Sequence, residues 1–430
     1  MNKDSTTPEI VGARADPVSF DRTFRALRHR NFRLFFAGQL VSLIGTWMQQ
    51  TAMSWWIYEQ TGSKILLGVV SAAGSAPMVF LSLWGGSLAD RYSKRRILIA
   101  TQTASMLFAF LLAYLVWKGW AGTAWIIAIS LLNGVAMAFD MPARQSFVVE
   151  MTSREDLMNA ISLNSSVFNG ARVIGPSLAG IAIAWVGTAM CFFLNGLSFL
   201  AVIAGLAMMR LAPAVISETP SASVREHATS GLLYAWSHIR VRTILILFAF
   251  LGVFGWSYGV LMPSFARDVL GLSAGGYGSL MSASGIGALC GALTIASAGH
   301  LYPPRKLAFG GIWTFSTMLI LCALTRNFYF AMACLGLAGF GMMLFFSTAN
   351  TVLQTIVPDE MRGRVMGIWA LIFGAIVPLG SLEAGALAHW IGTRPTIGMG
   401  GIVCALAAGG TLISIHRRET ASGPVKASEV

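Results

Sequence analysis

Arg172, Glu383 and Asp140 are ionisable residues set in long apolar runs of a 430-residue chain. Charges in such surroundings are expensive and are functional candidates by default. Arg172 cannot readily lose its proton, so it suits attracting an anion or holding a carboxylate rather than carrying protons. Glu383, with His389 following in the same run, can exchange a proton where water is scarce. Asp140 has Arg144 one helical turn later, which favours an i,i+4 ion pair or a helix-end role over coupling. Neutralising Arg172 is therefore expected to be more damaging to function than neutralising Arg144. Asn133 and Gln49 can line a cavity or bind neighbouring helices, and Trp256 can wall a site for an aromatic ligand or pack in the core. No H-E-x-x-H, G-x-S-x-G or ATP-binding G-x-x-x-x-G-K-[ST] pattern occurs, so no catalytic residues are assigned and ATP-driven work is disfavoured. The five Cys residues lie in apolar stretches without a C-x-x-C pair. Neither a disulfide framework nor a metal site is expected.

The elements that position these residues follow from composition. The chain is 55% hydrophobic and 11% charged, whereas soluble domains carry about 25% charged residues. Twelve runs reach or approach the roughly 20 apolar residues that cross a bilayer as a helix. They are 33–58, 65–89, 97–117, 122–141, 161–186, 189–209, 242–265, 273–298, 307–325, 329–352, 364–391 and 395–415, here spans one to twelve. They are too long and too evenly apolar for β-barrel strands. The fold class is an all-α membrane protein with twelve transmembrane helices in two pseudo-symmetric six-helix bundles. The bundles are expected at 32–210 and 242–415, with a polar linker at 211–241 and tails at 1–31 and 416–430. The repeat is visible where Gly175–Thr188 of span five overlies Gly380–Thr393 of span eleven at an offset of 205. Parallel repeats of this kind place a substrate cavity near the midplane between the halves.

Charge sets the orientation. With the N-terminus cytoplasmic, only five of the 30 Lys and Arg residues (Lys64, Lys118, Arg267, Arg326 and Arg394) fall on outer loops. Arg172 lies within span five, and the other 24 face inside, so both termini are expected in the cytoplasm. This bias accounts for the net charge of +12 without a nucleic-acid partner. Trp55, Trp56, Trp117, Trp120, Trp125, Trp185 and Trp390 are expected at outer interfaces. A monomer in a lipid bilayer, taking a small-molecule substrate, is the expected assembly.

Between spans two and three stands GGSLADRYSKRR, residues 85–96. Gly86 permits a close helix approach, and Asp90 can accept hydrogen bonds at a helix N-terminus. Arg91, Lys94, Arg95 and Arg96 complete a basic cluster, the last three chiefly setting topology. This pattern resembles the signature of the major facilitator superfamily, with Ser93 replacing its usual Gly. The resemblance implies that Asp90 latches onto the start of span eleven, near Gly363 and Arg364, when the cavity opens outward. Gly175, Pro176 and Gly180 in span five resemble the superfamily's antiporter motif, with Ala179 where a second Gly is usual. The stretches D140MPARQSF147 and A160ISLNSS166 resemble the branch containing the enterobactin exporter and related secretion permeases. What the resemblance implies is a bacterial inner-membrane secondary transporter. It would export a small amphiphilic, siderophore-like or drug-like compound by alternating access, driven by the proton gradient without a bound cofactor. A proton-independent facilitator or lipid flippase is the alternative, and an intramembrane enzyme a distant one. The superfamily's usual span-four Arg is Ser130 here, which weakens any borrowed proton-coupling scheme.

Overall fold

A computed structural model describes residues 24–210, 224–256 and 258–421. Residues 1–23 and 422–430 of the predicted tails, and 211–223 of the predicted linker, lie outside the described residues. The spans run Arg30–Thr61, Lys64–Arg91, Lys94–Trp117, Thr123–Met151, Leu157–Val186, Thr188–Met208, Ile239–Val269, Ala274–Ala298, Pro304–Leu324, Phe328–Ile356, Asp359–Ile391 and Thr393–Ala421. Among the described residues, eleven helices are long and apolar enough to cross a membrane. The remaining predicted span, span one, is 32 residues long but is diluted by Gln39, Thr46, Gln49, Gln50 and Thr51. It packs against spans five and six, so several of these polar groups meet protein rather than lipid. Thr46 and Thr51 donate back to the carbonyls of Ser42 and Trp47, each at 2.9 Å.

Span four corrects one expectation. It continues to Met151 instead of stopping before Pro142, so Asp140 sits in a helix interior and not at a helix end. Proline removes one backbone donor and normally marks a boundary. Here the carbonyl of Ala138, four residues before Pro142, lies against Gly85 of span two. The neighbouring helix thus covers the carbonyl that loses its donor. Span seven likewise runs on through two π-helical turns, Leu251–Gly255 and Phe265–Val269.

Two predicted irregular segments contain structure. A linker helix, Val224–Ser237, packs on span eleven, and Arg364 Nη1 donates to Ser230 Oγ across that contact at 2.9 Å. Before span one, a 3-10 turn at Arg25–Arg28 docks on the loop between spans four and five. Arg25 Nε lies 2.9 Å from Asp156 Oδ1, His29 Nε2 lies 2.8 Å from Asp156 Oδ2, and Ala26 N donates to Asn159 Oδ1 at 2.9 Å. The His29 hydrogen bond, aided by Arg25, holds the Asp156 carboxyl below its ordinary value. A depressed acid stabilises docking above the ordinary carboxylate range and ceases to do so as pH falls through its lowered value. Docking is thus expected to persist from neutral pH through the ordinary carboxylate range. Asp156→Asn is expected to free the turn at neutral pH, seen as new protease cleavage near Arg25. An unchanged digestion pattern would sink this assignment.

Spans two and four, one and six, and three and six pack closely in the first half. Spans eight and ten, nine and ten, and nine and twelve do so in the second. Between the halves, span two lies on span eleven and span five lies on span eight.

Candidate functional site

The described chain begins and ends at one end of the bundle, the terminal face; the opposite end is the far face. Near the far face the two halves touch through backbone. A Cβ added at Gly180 of span five would lie 3.0 Å from Gly275 Cα and 3.1 Å from the Ala274 carbonyl oxygen of span eight. A Cβ at Gly385 of span eleven would lie 2.9 Å from the Lys64 carbonyl oxygen and 3.2 Å from Gly68 Cα of span two. These are corresponding contacts, since Gly180 and Gly385 are the residues paired by the repeat. Gly175 packs against Trp47 of span one, and its counterpart Gly380 against Val253 of span seven. Pro176 offers its carbonyl to the same crossing, 2.5 Å from a Cβ built at Gly278. The Gly175, Pro176 and Gly180 motif is therefore packing surface, which is why small residues recur in both halves.

Side chains close the far face further. Tyr58 donates its hydroxyl to Asp268 across the halves. Arg267 Nη1 donates to the Glu59 carbonyl at 3.1 Å. Trp55 stacks on Tyr277 with ring centroids 5.8 Å apart. This corrects the interface role expected for Trp55, which is 4% exposed, whereas Trp117, Trp120, Trp125, Trp185 and Trp390 are exposed. Tyr58 and Asp268 were not marked by sequence reasoning. Their only signal was a tyrosine and an acid at the far ends of corresponding spans, one and seven. Deeper in, Ser71 and Ser381 hydroxyls lie 2.8 Å apart, and Ser177 and Ser282 hydroxyls 2.6 Å apart.

The terminal face differs. Among the described residues, the hydrogen bonds joining the halves all involve far-face or mid-span residues. A Cβ at Gly86, Gly363 or Gly367 would meet open space. The close approach expected at Gly86 is made instead by Gly85, against span four. Asp90 lies in the last turn of span two, but its side chain lies outside the described residues. Arg364, its expected partner region, is held by Ser230 of the linker helix. Lys94 pairs with Glu150 at 2.5 Å, Arg95 Nη2 donates to the Ala207 carbonyl at 2.7 Å, and Arg91 and Arg96 are exposed. Among the described residues, the backbone crossings and hydrogen bonds between the halves thus lie at the far face and mid-span.

Arg172 lies half-way along the 30-residue span five. Its guanidinium carbon is 5.8 Å from the Trp47 ring centroid and 5.4 Å from that of Trp256. One indole comes from each half. Among the described residues, no carboxylate lies within ion-pairing distance of Arg172. The rings continue outward. Phe168 meets Trp47 edge-on at 5.8 Å, and Phe346 and Phe373 lie 5.9 Å and 6.1 Å from Trp256. Sequence reasoning named Arg172 and Trp256 separately. It missed Trp47, whose indole in a glutamine-bearing span gave no distinct signal.

The other candidates separate from this cluster. Asp140 is 1% exposed. It accepts from Thr101 Oγ1 at 2.8 Å and Gln102 Nε2 at 2.7 Å, and pairs with Arg144, which also reaches Gln39. That network ties spans one, three and four around the Asp140–Arg144 ion pair. Gln49 accepts from Asn195 Nδ2 at 2.8 Å, an interhelical bond between spans one and six. Asn133 is half-buried. Glu383 has one buried carboxylate oxygen without a hydrogen-bond partner, and the exposed His389 makes no hydrogen bond to it.

The chain as a whole is similar to known proteins. A family profile described as transmembrane secretion effector matches residues 21–427. The staphyloferrin A transporter of Staphylococcus aureus is 26% identical over 388 residues, 86% of this chain and 92% of that protein. The multidrug efflux pump Tap of Mycolicibacterium fortuitum is 25% identical, covering 84% of this chain and 90% of the pump. The enterobactin exporter EntS of Shigella boydii is 28% identical, covering 79% and 81%. In fold, the chain is similar to a bacterial homologue of the human lysosomal transporter Spinster, solved inward-facing and unoccupied. The TM-score is 0.72 at 13% identity, over 92% of this chain and 97% of that one. Membrane-length helices, the motif loop and the profile match agree: the chain belongs to the transmembrane secretion effector family of major facilitator superfamily transporters.

Proposed function

We propose that this protein exports a small amphiphilic compound by proton antiport, its halves at 32–210 and 242–415 alternating about a midplane site as a monomer. It does so in a bacterial inner membrane with both termini cytoplasmic. The observation that carries this reading is that, among the described residues, the backbone crossings and hydrogen bonds between the halves lie at the far face and mid-span. A rigid channel has no need of such asymmetry, whereas alternating access requires one closed and one parted end. Relatives named as exporters and an efflux pump support the direction. Glu383, with its unpartnered buried oxygen, supports a proton-carrying role in the second half.

Proton flux in proteoliposomes tests the reading, using a pH-sensitive dye in the lumen and a panel of siderophores, lipids and hydrophobic drugs. Proton movement opposite to a compound, lost in Glu383→Gln, is the expected result. Compound movement without protons would replace antiport by facilitated passage or flipping. Asp90→Asn is expected to slow transport about fivefold, matching about 1 kcal/mol of lost helix-terminus interaction. It is expected to leave membrane insertion unchanged. Wild-type rates in that variant would remove the latch.

A further inference from the structure

We propose that the Arg172 site selects organic anions bearing an aromatic group and disfavours organic cations, its two indoles gripping the ligand from both halves; this rests on the transporter reading above. A cation at the middle of a membrane span is costly unless its charge is answered. Around Arg172 the answer from the protein is partial. The faces of Trp47 and Trp256 stabilise the guanidinium through cation–π attraction, but among the described residues no carboxylate neutralises it. The guanidinium presents five N–H donors in a planar fork that fits carboxylate, sulfonate or phosphate oxygens. Tyr258, whose hydroxyl lies 2.8 Å from Ser284 Oγ, adds a polar group within electrostatic reach. Beyond the fork, Phe168 and Phe346 extend an apolar aromatic surface on either side.

The ligand chemistry follows from this set. The anionic head would take the place of the missing counter-ion, and a planar body would lie against the rings. An organic cation would meet an unneutralised positive charge in a low-dielectric site, where like-charge repulsion is strongest. Trp47 belongs to span one and Trp256 to span seven, so one bound molecule touches both halves. Span five also crosses span eight beside the site, where a Cβ built at Gly285 would lie 3.1 Å from the Arg172 carbonyl oxygen. A ligand pulling Arg172 toward either indole therefore acts on the segment along which the halves meet. A lipid could supply the same anionic head, and the test separates that source.

Purified protein in phosphatidylcholine nanodiscs is titrated with 2-naphthoate, (2-naphthyl)methylammonium and citrate, following tryptophan fluorescence and thermal stabilisation. The expected order is naphthoate tightest, with the ammonium and citrate each weaker by about tenfold or more. In Arg172→Gln the preference for naphthoate over the ammonium is expected to vanish. Arg172→Lys should keep the charge preference with weaker binding. Arg242→Gln removes an arginine that lies over Trp236 at the terminal face and should change nothing. Equal or tighter binding of the ammonium to the unmodified protein overturns the proposal, independently of whether any variant folds. Undetectable naphthoate binding at millimolar concentration also overturns it. If phosphatidylglycerol in the disc abolishes naphthoate binding, the site holds a lipid headgroup and the aromatic-anion assignment fails. Naphthoate binding that depends on Arg172, without flux of any compound in proteoliposomes, upholds this site and defeats the transporter reading instead.

Discussion

Arg144→Gln is expected to lower the stability of the folded protein by about 3–5 kcal/mol, the effect of removing one partner from a buried ion pair. The Asp140 and Arg144 side chains are 2% and 18% exposed. Loss of the guanidinium leaves a carboxylate in the first half with only Thr101 and Gln102 to answer it. It also releases Gln39 of span one. The measurement is the midpoint of thermal unfolding in detergent, together with the yield of monodisperse protein. Asp140→Ala should behave alike, while Asp140→Leu with Arg144→Leu should recover most of the loss because neither charge is then stranded. A wild-type midpoint for Arg144→Gln would show that the pair contributes nothing. Arg172→Gln is expected to behave differently. That change removes a charge with no carboxylate partner among the described residues and is expected to keep the fold while altering ligand preference. Arg144 and Arg172 are the same residue type on neighbouring spans, and only their partners distinguish a scaffold change from a site change.

Gly68→Val and Gly287→Val should also part in their effects. A side chain at Gly68 would strike the Ser381 carbonyl oxygen, a contact between the halves at the far face. Overpacking of this kind costs about 1–3 kcal/mol. At the upper end it shifts the closed-to-open ratio of the far face about a hundredfold. The protein is expected to fold, to lose most transport, and to expose far-face cysteine probes to membrane-impermeant reagents. A side chain at Gly287 would strike the Gly336 carbonyl oxygen, a contact between spans eight and ten within the second half. There the two helices pack within one half, and loss of folded protein is the expected readout. Equal folded yield and equal transport in the two variants would mean that the far-face crossing is no gate.

Much of the fold was legible in residue order because the bilayer allows so little else. Long apolar runs must be helices there, so most span boundaries read from hydrophobicity fell within a few residues of the structure. The 205-residue repeat was visible as matched small residues because both copies serve one task, letting a helix from the other half approach. The errors have equally local causes. The apolar run of span four stops at 141, whereas the helix continues through Pro142 to Met151 against the backbone at Gly85. Trp55 was placed at the lipid interface by its position along span one, whereas its helix face turns it toward Tyr277. Residue order carries depth along a helix but not rotation about its axis.

The same distinction runs through the site. Arg172 was marked by charge and depth alone. Its two indoles come from residues 47 and 256, far apart in the chain. Whether Arg172 was paired was open until the helices were packed. Asp140 bore the same mark and proved to be answered four times over, by Thr101, Gln102 and two bonds from Arg144. By itself the sequence determined the class of molecule, the approximate course of its spans, the repeat and the residues whose charge is out of place. Tertiary structure alone decided which of those charges are neutralised, which face is shut and which side chains from opposite halves meet. The physical reason is that burial and hydropathy sum over local runs of residues, while pairing depends on which helix faces pack together.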